Sequence, residues 1–238
     1  MDARIELVSA ADAAGDAEGA EDVKDVKDAA GTDNTADAEG NADITAAEEV
    51  NAWVIGDDEE VIVIDPGEDA DAVMSVVGER EVIAVICTHG HPAHVTAAFT
   101  VAERDEAPVA LHRADRLQWR MAHDDQEPEI EMAHAGKFEV ADVTLEVIHT
   151  PGHSNGSVSL YCPELAAVFT GDALLATGPA GHDDDFPDYP RQLTSIGEHL
   201  LDLPAGTRVL PGHGPEITIA LASKRFDDWV TGGPGEPE

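Results

Sequence analysis

The stretch VIAVICTHGHPAHVTAAF, residues 82–99, constrains this chain more than any other. It belongs to a continuous apolar run of strand length, EVIAVIC, which has no polar face and so reads as a strand covered on both sides. Three histidines, His89, His91 and His94, fall within the six residues that follow Thr88. In extended backbone, side chains two apart point the same way, so His89 and His91 can reach a common point beyond the strand. Pro92 suits the first turn of a helix, where its missing N–H costs little, and His94 then projects from that turn beside the other two. A lone buried histidine is ordinary core chemistry. H-x-H-x-x-H at a strand end is instead the pattern of an imidazole metal site, for which zinc is the favoured ion.

Further ligands should come from the ends of other strands, and three loops offer them. HTPGHSNGSVSL places His153 in a glycine-rich turn between two strands. VFTGDALL places Asp172 directly after an apolar strand, where a buried carboxylate needs a cation. RVLPGHGPE places His213 after a short strand, between glycines that let the backbone bend tightly. Each motif alone is weak; their joint order carries the weight.

Around these motifs the chain alternates strands and helices. VNAWVI and EVIVID read as strands joined by the turn GDDE, and PGEDADAVMSVVG as a helix ending at Gly78. After EVIAVIC come a helix through HVTAAFTVAERDE, a strand PVALH and a helix ADRLQWRMA expected to pack Leu117 and Met121 into the core. The second half reads as strands DVTLEVIHT, SVSLYC and AAVFTGD, a helix RQLTSIGEHLLDL, a strand TRVLPG and a helix EITIALASKRFDDWV. Two strand-rich halves with helices between them indicate an α/β sandwich, sheets inside and helices outside. Residues 1–10 read as an edge strand, 11–46 as an acidic, low-complexity, disordered segment, 47–231 as the folded domain and 232–238 as a frayed tail.

Charge narrows the partners. Fifty acidic residues against thirteen basic ones give a net charge of −37, a surface that repels nucleic-acid backbones and anionic membranes. No basic-then-apolar leader opens the sequence and no apolar run approaches membrane-spanning length. Cys87 and Cys162 read as two reduced thiols rather than a disulfide framework. The expectation is a cytoplasmic protein acting on a small molecule.

The ordered set THGHPAH, TPGHSNGS, TGDAL and PGHG, preceded by VIDPG, resembles the metallo-β-lactamase superfamily, especially its glyoxalase II-like thioester and lactone hydrolases, over roughly Val50 to Val230. The resemblance implies a four-layer αββα sandwich of two mixed sheets, with a metal site at one edge between them. It implies that His89, His91 and His153 hold a first metal, that His94 and His213 hold a second, and that Asp172 bridges the two. Asp65 of VIDPG would be a structural support and not a ligand.

One position departs from the pattern. The family motif is H-x-H-x-D-H, and here the aspartate is Ala93. In dinuclear members that carboxylate binds the second metal and orients the attacking nucleophile, which a methyl group cannot do. The expectation is therefore one firmly held zinc and a second site that is partial or empty, unless Asp183, Asp184 or Asp185 substitutes. Hydrolysis survives with one ion, because zinc lowers the pKa of bound water and polarises a carbonyl. Competing expectations are a mononuclear iron oxygenase of the persulfide dioxygenase type, since two histidines and a carboxylate suit ferrous iron, and a catalytically degenerate member of the fold. Arg120, Arg191, Lys224 and Arg225 read as surface ion-pair partners, and His149 as a group lying just behind the ligands.

Overall fold

The computed structural model describes residues 3–8, 50–180 and 188–232. The segment 11–46, the acids Asp183, Asp184 and Asp185, and residues 233–238 lie outside the described residues. Alternation within the apolar strands dictates the layering. In β2 (Ala52–Gly56) and β3 (Glu60–Ile64), Trp53, Ile55, Ile62 and Ile64 face one core, while Val54, Val61 and Val63 face another. A strand buried on both faces must have a sheet on one side and helices on the other.

Two six-stranded sheets result. The first runs β1 (Arg4–Val8), β2, β3, β4 (Glu81–Ile86), β5 (Val109–His112) and β6 (Ile130–Met132). Its β3–β4–β5–β6 portion is parallel, while β1–β2–β3 is antiparallel. The second runs β12 (Ile217–Thr218), β11 (Arg208–Pro211), β10 (Ala167–Gly171), β9 (Val158–Cys162), β8 (Val143–His149) and β7 (Lys137–Val140), with only β10–β11 parallel. Their inner faces meet in a core that joins Ile62, Ile64 and Ile86 to Leu145, Leu160 and Phe169. Helices α1 (Ala70–Val77), α2 (Pro92–Val95), α3 (Ala98–Glu103) and α4 (Arg116–Ala122) cover the first sheet; α5 (Tyr189–Ser195), the wider turn Ile196–Leu200 and α6 (Ile219–Gly232) cover the second. The architecture is the αββα sandwich.

Three local expectations need correction. The helix expected through residues 94–106 breaks into α2 and α3, because Ala97 lends its N–H to Gly67 and its backbone starts a new helix. Ile217 and Thr218 pair with β11 before α6 begins, so the last helix starts later than its apolar spacing suggests. On α4, Leu117 and Met121 are 66% and 68% exposed, while Trp119 is fully buried. Trp119 outcompetes them because it meets Phe99 edge to face, packs against the His123 ring and satisfies its indole N–H on the Gln126 carbonyl. Among the described residues, no helix is long and apolar enough to cross a membrane.

Candidate metal centre

Five strand ends and one short helix converge at one edge of the sandwich. β3 delivers Asp65, β4 the loop of His89 and His91, α2 His94, the β8–β9 turn His153, β10 Asp172 and β11 His213. Crevices beyond the carboxyl ends of parallel strands are where such folds gather function.

The predicted residues come together as two groups. The ligand atoms of His89, His91 and His153 lie within 4.8 Å of one another, as do those of His94, Asp172 and His213. His91 Nδ1 and His153 Nε2 are 3.1 Å apart, and His94 Nε2 and His213 Nε2 are 3.2 Å apart. Asp172 joins the groups: its Oδ2 lies 3.5 Å from Nε2 of His94, His153 and His213 and 3.9 Å from Nε2 of His89. The close approach of Gly212 belongs to this geometry. A Cβ there would stand 2.3 Å from Asp172 Oδ1 and 2.8 Å from His94 Cε1, so only glycine lets the β11 loop close over the groups.

Asp65 aims two of the rings. It sits in left-handed backbone (φ 49°), unusual for a residue other than glycine and a mark of a conformation imposed by its surroundings. Its carboxylate accepts the Thr88 N–H and Thr88 Oγ–H at 2.7 Å each and faces His94 Nδ1 at 3.3 Å. Thr88 Oγ1, its proton given to Asp65, accepts from His89 Nδ1 at 3.1 Å. Both histidines thus donate from Nδ1 and turn Nε2 towards the site. Asp65 is close enough to His89 and His94 to form a third ligand-like trio, but its oxygens are already committed to support.

Charge separates the two groups. Burial, reinforced by His94 nearby, drives His89 well below its usual titration. Burial also opposes the charge on His94, yet Asp172 and Asp65 overcome it and raise His94 to about 10. For Asp172, burial pushes upward, while His94 and His213 hold the carboxyl well below its usual range. His89 Nε2 and Asp172 Oδ1 are buried with no hydrogen-bond partner among the described residues. Buried lone pairs left without donors are costly and fit a cation shared between them. The donor set, imidazoles plus one carboxylate, suits zinc or iron.

A family profile described as "Metallo-beta-lactamase superfamily" matches residues 46–213. The chain belongs to that superfamily. Among similar superfamily proteins is "Probable metallo-hydrolase YqgX" of Bacillus subtilis (strain 168), 31% identical over 186 residues that span 72% of this chain and 88% of that one. The crystal structure of the BLEG-1 B3 metallo-β-lactamase aligns at a TM-score of 0.67 with 30% identity, covering 75% and 93% of the two chains. TTHA1623, solved in a di-iron-bound form, aligns at 0.66 with 29% identity, covering 75% and 94%.

Several residues that support this candidate site carry little or no mark in the sequence. Asn51 binds the β11 loop through its N–H to Gly212 and its amide to Pro211 and Gly214, and Trp53 donates to Pro211. Buried Gln192 donates to the carbonyls of Asp172 and Ala173. Nothing in their sequence surroundings marks Asn51 or Gln192. Asp115 is fully buried beside the Gly90 and Ser154 loops, and its place just past an apolar strand was the available signal. His149 contacts the loop that follows His153, its Nε2 meeting the Asn155 carbonyl and its ring stacking on His112. Arg120 pairs with Glu127 as expected of a surface cation. Arg191 and Arg225 instead reach neutral oxygens, Asn155 Oδ1 and the Ala176 carbonyl, because α5 and α6 place them beside loops.

Proposed function

We propose that this protein is a metal-dependent hydrolase of a small activated acyl compound, a thioester or lactone, of the glyoxalase II-like kind. The observation that carries the reading is the meeting of two imidazole groups on the single carboxylate of Asp172. In this reading His89, His91 and His153 hold the first ion, His94 and His213 hold a second, and Asp172 touches both. A bound ion supplies Lewis acidity towards a carbonyl and towards water. The chain's own part is to keep Nε2 of His89 and His94 aimed inward through Thr88 and Asp65 and to hold a buried negative charge at Asp172. A relative named as a metallo-hydrolase at 31% identity supports hydrolysis over a degenerate site, and the net charge of −37 favours a small molecule over nucleic acid.

Ala93 sets the stoichiometry. The second group keeps two imidazoles and a shared carboxylate, so we expect one firmly held zinc and a weaker second ion. Iron is the second reading for the metal, on the strength of the di-iron-bound TTHA1623. Metal analysis of the purified, unchelated chain, followed by assay on a thioester and lactone panel with and without chelator, tests both. About one tight zinc and chelator-sensitive hydrolysis are the expected results. Tightly held iron with oxygen uptake on a persulfide would replace the hydrolase reading, and chelator-insensitive activity would end it.

A further inference from the structure

We infer that Asp115 is a positioning residue for the first ion, clipping the His91 loop to the His153 loop across the two sheets; this rests on the metallo-hydrolase reading above. His91 and His153 come from different sheets, yet their facing nitrogens stand only 3.1 Å apart. Nitrogens at that distance can share a proton or an ion only while the two loops keep this register, so a contact that fixes the loops also fixes the pair.

Asp115 is placed to do so. It lies in the single turn after β5, fully buried, with its carboxylate between the loops. Oδ2 accepts the Gly90 N–H at 3.1 Å and the Ser154 Oγ–H at 2.6 Å, and Oδ1 accepts the Gly156 N–H at 2.5 Å. Gly90 is the residue between His89 and His91; Ser154 and Gly156 follow His153. One carboxylate therefore grips both ligand loops at residues adjoining the ligands.

The glycines fit that grip. A Cβ on Gly90 would lie 2.6 Å from the Asp115 carbonyl oxygen, and a Cβ on Gly156 would lie 2.6 Å from Asp115 Cγ. Each loop has a glycine where Asp115 approaches, so the motifs HGH and SNG are shaped around this residue as well as around an ion. Burial raises the Asp115 carboxyl, and the donors from Ser154, Gly156 and Gly90 work against that rise. Groups that orient ligands from outside the coordination sphere typically govern about 10–100-fold in metal affinity.

The test is Co(II) titration of the full chain, read by its visible d–d spectrum and by chelator competition, on the parent, Asp115→Ala and Asp115→Asn. Asp115→Ala is expected to weaken the first ion by about 10–100-fold and alter the spectrum, with Asp115→Asn restoring part of both. Hydrogen exchange of the metal-free chain should show the Gly90 and Gly156 amides accelerating together. If Asp115→Ala does not fold, Asp115→Asn and Ser154→Ala carry the same comparison. Variants that lose only melting temperature, with the parent's Co(II) affinity and spectrum, would overturn the positioning role alone. A parent that takes up no Co(II) would overturn the metal reading and this role with it.

Discussion

The group of His89, His91 and His153 and the group of His94, Asp172 and His213 lie side by side, yet they differ in what they lack. The first has three imidazoles, with His89 aimed by Thr88 and the loops joined through Asp115. The second is framed with equal care: Asp65 aims His94, Asn51 and Trp53 hold the His213 loop, and Gln192 holds the Asp172 backbone. What it lacks is the carboxylate that its superfamily pattern puts at position 93. Framing and ligand count are thus separable: the scaffold of the second site persists where one of its anionic donors is absent.

The sharpest way to break the comparison is Asp172→Ala. Its carboxylate lies within 4 Å of four of the five imidazoles, so its loss takes from both groups a negative charge that each faces. We expect neither ion to be retained after dialysis and hydrolysis to fall by more than about 100-fold, the upper range for groups outside the coordination sphere. His213→Ala, in contrast, should leave the first ion in place. One tight equivalent surviving in Asp172→Ala, counted by metal analysis, would mean the groups do not share this residue.

Ala93→Asp sharpens the comparison by making the second group whole. Ala93 is exposed and one residue before His94 on α2, so an aspartate meets no packed neighbour there. Second-ion occupancy should approach one, and hydrolysis should rise by about 10²-fold or more, the scale of a missing proton-transfer or orienting group. Unchanged stoichiometry and rate would remove the role assigned to this position.

Which parts of this arrangement could be read in advance follows from how far each feature reaches along the chain. The apolar run before His89 and the alternation of Ile and Val in β2 and β3 are local, and they predict strands buried on both faces. The ligand set is legible because histidine after a strand, repeated in loop after loop, has few structural uses. The Asn51, Asp115 and Gln192 contacts are long-range and use common residue types, so no spacing announces them. Leu117 and Met121 misled for a related reason: helical spacing says that a face exists, but the larger Trp119 decides which face turns inward.

The smallest expected effect separates the groups by protonation in the chelated protein. In the first, burial keeps His89 neutral; in the second, Asp172 and Asp65 hold a proton on His94 up to about 10. A histidine whose folded value exceeds its unfolded value of about 6.5 adds stability that is fully present below that value. That contribution is lost as pH rises towards about 10. His89 has the opposite sign, since its folded value is depressed and its cost grows only as pH falls below about 6.5. Asp172, also depressed, contributes above its unfolded value and is constant from neutral pH upward. Between about pH 6.5 and 10 His94 therefore gives up its stabilising proton, and the melting temperature of chelated protein should decline across that window. Asp65→Asn, which removes one of the two charges facing His94, should flatten the decline. Melting curves that stay level or climb over the same range would place the proton elsewhere, and the two groups would then be electrostatically alike.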